Sequence, residues 1–174
     1  TVDTGTFYSP LGHVIIILLI QIGGLGIITA TTLYALILGK RIGLKERILI
    51  KEALNRDELG GVVRLVRQVL ITTLIIEGIG AFFLFIAMLD YFPPAKALGY
   101  GVFHAVSAFC NAGFDLFGQD YSPFCSLIPF QTNPAVLLII AFLIIIGGIG
   151  FPVIIECLRY RERKRMGIHA KIVL

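Results

Sequence analysis

The sequence predicts an all-α membrane protein organised as a helix–re-entrant loop–helix repeat. Three observations carry that prediction. Hydrophobic residues make up 57% of the chain and charged residues only 15%, whereas a soluble domain is about a quarter charged. Long uncharged runs alternate with two strongly basic segments. Between two of the runs lies Phe103-His104-Ala105-Val106-Ser107-Ala108-Phe109-Cys110-Asn111-Ala112-Gly113-Phe114. That stretch is too short to cross a bilayer, and it ends on Asn-Ala-Gly, where a helix would stop.

Residues 1–39 read as an outer loop and a first membrane helix. Thr4 to Gly39 contain no Asp, Glu, Lys or Arg, and Val14 to Leu38 is long enough to span, since about 20 helical residues cross the hydrocarbon. Gln21, Gly23, Gly24 and Gly26 interrupt its apolar face, which suits close packing inside a bundle. Residues 40–67 are a different material, rich in Lys and Arg. Ile42 to Arg56 has apolar i,i+4 pairs and reads as an amphipathic linker before Gly60-Gly61 breaks it. It is either a surface helix or a docking face for a cytoplasmic partner.

Residues 68–89 form the second span, with Glu77 as its single charge. A carboxyl at that depth must face the bundle interior or water, so Glu77 and Gln21 are candidate intramembrane polar positions. Residues 90–100 read as a turn around Pro93-Pro94, followed by a short helix over 101–110. A loop follows, and then Asn133 as cap and Pro134 as first residue of a third span over 135–155. Gly147, Gly148, Gly150 and Pro152 interrupt that span, and Pro152 should kink it. Residues 159–174 are a basic linker leading into a further apolar run, which marks the chain as an internal piece of a longer one.

Charge sets the topology. Fourteen of the fifteen Lys and Arg lie in 40–67 and 159–171, and the exception is Lys96. The positive-inside rule makes those two segments cytoplasmic. Residues 90–134 must then start and finish outside, dipping in without crossing. The net charge of +4 is explained by this orientation and calls for no nucleic acid. Cys110, Cys125 and Cys157 fit no metal spacing and read as small buried apolar residues.

An internal repeat supports the dip. Ile22-Gly23-Gly24-Leu25-Gly26-Ile27 matches Ile146-Gly147-Gly148-Ile149-Gly150-Phe151, Tyr8-Ser9-Pro10 matches Tyr121-Ser122-Pro123, and Asp3 then corresponds to Asp115. The first span is therefore the end of one unit, and residues 68–158 are a complete second unit. Irregular backbone at membrane depth is tolerated only where protein buries it or water lines it. A helix over 101–110 would be about 15 Å long and would aim its carbonyl end at the membrane centre, where it favours a cation. Asn111, Ala112 and Gly113 would then return outward with carbonyls able to replace a cation's water shell. Asp3 and Asp115 would sit at the outer mouth. His104, Ser107 and Phe114 would support the loop. His104 and Ser107 at i,i+3 also suggest an intramembrane enzyme, but no Gly-x-Ser-x-Gly elbow accompanies them. If no such chemistry occurs, Ser107→Ala should leave transport largely intact. A non-conducting structural subunit is the remaining alternative, and it leaves the dip unexplained.

The stretch Phe103 to Asp115 resembles the second pore loop of the Ktr/Trk/HKT superfamily of potassium transporters, and most of all the KtrB-type membrane subunit. Gln21-Ile22-Gly23-Gly24-Leu25-Gly26, Lys51-Glu52-Ala53-Leu54-Asn55 and Ile76-Glu77-Gly78-Ile79-Gly80 are similar to the same subunit. The resemblance covers the whole chain. It implies a potassium-channel-like transporter with four helix–pore loop–helix units around one pore. Each unit gives one filter strand with a central glycine, here Gly113. It implies potassium uptake across the plasma membrane, in many members with sodium as coupling ion, as in a symporter. No covalent cofactor and no enzymatic activity are implied. The implied partners are lipid, a second copy of the membrane subunit and a cytoplasmic nucleotide-binding regulatory subunit. The first filter strand would lie just before Thr1, and the third and fourth beyond Leu174.

Overall fold

The computed structural model describes residues 2–26 and 62–149. Within them the chain forms α1 (Thr4–Phe7), α2 (Pro10–Leu25), α3 (Val62–Met88), α4 (Pro94–Phe109) and α5 (Pro134–Ile149). Two 3-10 turns, Phe117–Gln119 and Ile128–Phe130, lie between α4 and α5. No strand occurs among the described residues. The fold is all-α, as expected. The expected first span beyond Gly26, the linker over 40–61, the third span beyond Ile149 with its Pro152 kink, and the basic segment 159–171 lie outside the described residues.

Among the described residues, one stretch, Val66–Met88 in α3, is long and apolar enough to cross a membrane. Helices α2 and α5 each have 16 described residues and are also apolar. Helix α3 starts at Val62, earlier than the expected Gln68. The charges of Arg64 and Arg67 suggested a linker there, but straight-chain Arg is a good helix former and does not end a helix.

The larger departure is at α4. The expected turn over 90–100 is mostly helix, because α4 begins at Pro94 with Pro93 as its N-cap. A proline at the first helical position has its φ preset, and its missing N–H would have had no helical partner anyway. The Pro-Pro pair is thus a helix start. The 16 residues of α4 give a rod about 24 Å long at 1.5 Å per residue. The start of α5 is as expected: Asn133 Oδ1 accepts from the N–H groups of Ala135 at 3.0 Å and Val136 at 3.3 Å.

Helices α2 and α5 share one register. Both begin on proline and both run 16 residues, so the offset that aligns Gly23 with Gly147 also aligns Pro10 with Pro134. Ser9 Oγ accepts from Gly12 N–H at 3.3 Å and helps start α2. Tyr121-Ser122-Pro123 starts no helix, despite its match to Tyr8-Ser9-Pro10. Phe124 and Ser126 have φ of 63° and 51°, left-handed angles that a right-handed helix does not accept. The true counterpart of Ser9-Pro10 is Asn133-Pro134.

Residues Thr1–Gly24 and Leu74–Gly148 form one compact unit, and every contact below lies within it. Of the second unit, Leu25–Thr73 and Ile149–Leu174, mainly the opening turns of α3 are described. The core of the first unit is aromatic on its loop side. Phe117 and Phe130 are fully buried, with ring centroids 4.6 Å apart. Tyr100 packs edge-on against Phe117 and Phe92, and Phe92 stacks nearly parallel to Phe117. Leu84, Met88, Val136 and Leu143 continue the core between α3 and α5. Lys96 pairs with Asp120, and Tyr100 donates to the same carboxylate at 2.6 Å, fastening the start of α4 to the loop. On the outward faces of α2, α3 and α5, Leu18, Leu19, Phe82, Phe83, Leu138 and Phe142 are each more than half exposed. Apolar exposure on that scale suits a lipid-facing surface.

Phe117→Ala, made in the full-length protein, should cost about 3–5 kcal/mol and lower the thermal midpoint of the detergent-solubilised protein. Phe117→Leu should recover part of the loss.

Candidate functional site

A helix that ends inside a protein leaves four carbonyls without partners. At the end of α4 the chain answers some of these and leaves others. Asn111 N–H donates to Ala108 O at 3.0 Å, and Ala112 N–H donates to Ser107 O at 2.8 Å. This pair of bonds is a Schellman motif, whose turning residue must adopt a left-handed conformation. That residue is Asn111, with φ of 55°, and Asn is one of the few non-glycine residues that tolerates it. Its Nδ2 donates to Phe109 O at 3.3 Å. Gly113 follows with φ of 74°, a second left-handed position where any Cβ adds strain.

The outgoing segment is held against α4 by two side chains. Ser107 Oγ donates to Phe114 O at 2.7 Å and accepts from Phe114 N–H at 2.9 Å. His104 Nε2 accepts from Leu116 N–H at 3.3 Å, while Nδ1 donates to Tyr100 O at 2.7 Å. Those two bonds define a neutral imidazole with its proton on Nδ1. Its ring stacks on Phe117 at 4.1 Å. The spacing explains the pairing. Residues three apart share a helix face, and residues two apart in an extended chain point the same way. Ser107 and His104 therefore meet Phe114 and Leu116. The two side chains do not bond to each other, and both are buried, so the nucleophile–base pair of the enzyme alternative is not assembled. The expectation that Ser107→Ala would leave transport intact is also revised, because Ser107 makes both backbone bonds of Phe114.

Among the described residues, the carbonyls of Cys110, Asn111, Ala112 and Gly113 accept no hydrogen bond. Asn111 and Gly113 are exposed and Ala112 half-buried. No group of three His, Cys, Asp or Glu side chains among the described residues is arranged to hold a metal. The donors that this segment offers to a cation are backbone oxygens. Behind it, Glu77 is buried at the Cys110 thiol, with Sγ to Oε1 at 3.8 Å. Gln21 lies beside the same carboxyl, but its buried Nε2 has no well-formed hydrogen bond. The two candidate polar positions thus share one site, at the Cys110 end of α4.

The two aspartates differ. Asp3 is buried and caps α1. Its Oδ1 accepts from Thr6 N–H at 2.8 Å and Thr6 Oγ1 at 2.9 Å, and its Oδ2 accepts from Phe124 N–H at 2.8 Å. It is a structural tie between α1 and the loop before α5, and being buried it is not the expected open mouth carboxylate. Burial alone would push its carboxyl up, but the Phe124, Thr6 and Gly5 donors outweigh that and hold it below its ordinary value. Asp115 is half-buried, and its Oδ1 accepts from Phe117 N–H at 3.1 Å. Burial raises its carboxyl above the ordinary value, the Phe117 amide opposes this, and the Asp3 charge adds to it. Sequence reasoning missed three groups here. His13 Nε2 bonds Thr4 O at 2.9 Å, Gln119 donates to Gly5 O, and Asp120 anchors Lys96. Only the last had a signal, since a lone outer lysine calls for a counter-charge.

Comparison with known proteins supplies the class. Residues 2–172 match the family model described as TrkH, cation transport protein. The chain belongs to the TrkH family of cation transport proteins, whose members are transporters and not enzymes. It is of the KtrB type. It is 43% identical over 173 residues to the Ktr system potassium uptake protein B of Bacillus subtilis, covering 99% of this chain and 38% of the relative. It is 39% identical over 174 residues to the potassium/sodium uptake protein NtpJ of Enterococcus hirae, covering 100% of this chain and 37% of the relative. It is 35% identical over 175 residues to the Ktr system potassium uptake protein B of Vibrio alginolyticus, covering 99% of this chain and 37% of the relative. The chain therefore spans less than two fifths of the length of these relatives.

Asp3→Asn would turn one acceptor into a donor facing an amide, and should cost about 1–3 kcal/mol at pH 7. The sign with pH follows from the lowered carboxyl. Its stabilisation is present above the ordinary value of 3.8 and is lost as pH falls through the lower folded value. Thermal midpoints of parent and variant should therefore converge at low pH.

Proposed function

We propose that this chain is part of the pore subunit of a potassium uptake transporter, and that it supplies one of several filter strands. The observation that carries the reading is the run of four carbonyls past the end of α4 that are unbonded among the described residues, with the N–H groups of Asn111, Ala112, Phe114 and Leu116 tied down. Helix α4 is the pore helix, and its carbonyl end favours positive charge. Residues 111–114 are the filter segment, and the Asn111, Ala112 and Gly113 carbonyls replace the water shell of a dehydrated potassium ion. His104 and Ser107 fix the strand, Phe114 follows it, and Asp115 draws cations to its outer end. The names of the B. subtilis and V. alginolyticus relatives support potassium as the cargo.

The domain reading follows the same repeat. Residues 1–39 end one unit, 40–67 are a cytoplasmic linker, 68–158 are a complete unit and 159–174 lead to the next. The protein lies in the plasma membrane, with residues 90–134 dipping in from the outer side. It works as a homodimer with a cytoplasmic regulatory subunit, a reading supported by the "Ktr system" names of its relatives. Sodium as coupling ion is favoured by one observation, the name of the Enterococcus relative as a potassium/sodium uptake protein.

The full-length protein should restore growth and potassium uptake to a strain lacking its own uptake systems, and removing external sodium should slow that uptake. Gly113→Ser should lower potassium-over-sodium selectivity by at least about tenfold, since a Cβ at φ of 74° distorts the carbonyl. Unchanged selectivity would refute the filter assignment. Ser107→Ala should impair selectivity, with Ser107→Thr retaining more of it.

A further inference from the structure

The shared register of α2 and α5 aligns Gly23 with Gly147 and Gly24 with Gly148. Their surroundings differ in a regular way. A Cβ on Gly147 would overlap Phe109 O, the last carbonyl of α4, and would lie 3.2 Å from Asn111 Nδ2. Here α5 receives the end of the short helix of its own repeat. A Cβ on Gly24 would overlap Cys110 Sγ and lie 2.8 Å from Cys110 Cβ. Here α2, from the preceding repeat, receives that same helix end from its other side. The two remaining glycines, Gly23 and Gly148, have nothing within 4 Å among the described residues. One glycine of each pair is filled and one is open, and the filled position differs between the two helices.

We propose that each repeat's glycine pair is a double seat. The first glycine takes the end of its own pore helix, and the second takes the end of the next repeat's pore helix. Gly148 then seats the residue of the following repeat that aligns with Cys110. Gly23 seats the end of the preceding repeat's pore helix, at the residue aligned with Phe109. This inference rests on the tandem-repeat reading under Proposed function, and it assigns the contacts by which neighbouring repeats are joined. The occupied seats are the argument for the occupant of the open ones. The same two glycine positions, in the same helical register, already hold the end of α4 on both of its flanks.

The chemistry of the two seats differs. At the first, the glycine meets a backbone oxygen, which no rotamer change can move. At the second it meets a side chain, Cys110, whose thiol is also in contact with Glu77. Small residues in membrane helices let backbones approach this closely. An open glycine facing lipid would gain nothing from lacking a side chain.

The test is disulfide trapping in the full-length protein, with Cys110 the sole native cysteine kept and protease sites placed in the two basic segments. Gly24→Cys should bond to Cys110, holding the cleaved fragments together on a non-reducing gel. In a second variant carrying Cys110→Ser, Gly148→Cys should bond as fully to a cysteine at the position of the next repeat aligned with Cys110. Trapping at Gly24 without trapping at Gly148 would overturn the proposal. So would trapping at neither, or a Gly148→Cys bond joining two copies of the chain. Gly148→Leu gives an independent readout. It should reduce the folded protein recovered by size exclusion roughly tenfold, and a normal yield with normal uptake would also overturn the proposal. Failure of the unmodified protein to take up potassium would instead count against the transporter reading, whatever the trapping shows.

Discussion

A backbone that leaves its helix within apolar surroundings must satisfy its N–H groups internally, since no water is there to do so. The rest of the unit follows from how that is done at the end of α4. The N–H groups of Cys110, Asn111, Ala112, Phe114, Leu116 and Phe117 all have acceptors, drawn from the helix itself and from Ser107, His104 and Asp115. Among the described residues, the carbonyls of Cys110, Asn111, Ala112 and Gly113 are left unbonded, while those of Phe114 and Leu116 accept from Ser107 and Tyr100. Unmet donors and unmet acceptors in the same place would have no collective use. Donors met and acceptors spared make a surface of one sign, which is what a cation needs.

That arrangement requires support from outside the segment. His104 can accept from Leu116 only if its proton stays on Nδ1, which the Tyr100 carbonyl secures. Tyr100 in turn is held by Asp120 and by the ring of Phe92. Phe117 packs flat on the His104 ring and seals it from solvent. The aromatic cluster under the loop between α4 and α5 is thus the platform that fixes one tautomer, and through it one backbone path.

Much of this was legible in the sequence, for identifiable reasons. The end of α4 was legible within a residue, because Asn-Ala-Gly after an apolar run is a helix stop, and α4 ends at Phe109. The cap at Asn133 followed from a local rule that tertiary structure did not override. The true start of α4 was misread because Pro-Pro fits both a turn and a helix start, and only the packing of Ala97 and Tyr100 into the core separates them. Asp3 was misread for a different reason. Repeat alignment matched it to Asp115, but alignment carries no information about which partners fold over a carboxylate. The bonds from Phe124 to Asp3 and from Gln119 to Gly5 join residues far apart in the chain, and no short-range pattern announces them.

Those same long-range ties have a consequence for biogenesis. Asp3 and Phe124 are separated by 121 residues, and a ribosome adds about 5–20 residues per second. The Asp3 carboxylate therefore waits of order 10 s for its last donor to be made. Throughout that interval α1 has only short-range bonds to hold it, those of Thr6 and Phe7 to Asp3 and of His13 to Thr4 O, too few for a single helical turn to persist in water. The α1 segment is consequently a late-maturing part of the fold, completed from a distance by the loop between α4 and α5. A cell that interrupts synthesis before Phe124 is left with an exposed, unstructured loop, which is the kind of feature surface proteases recognise.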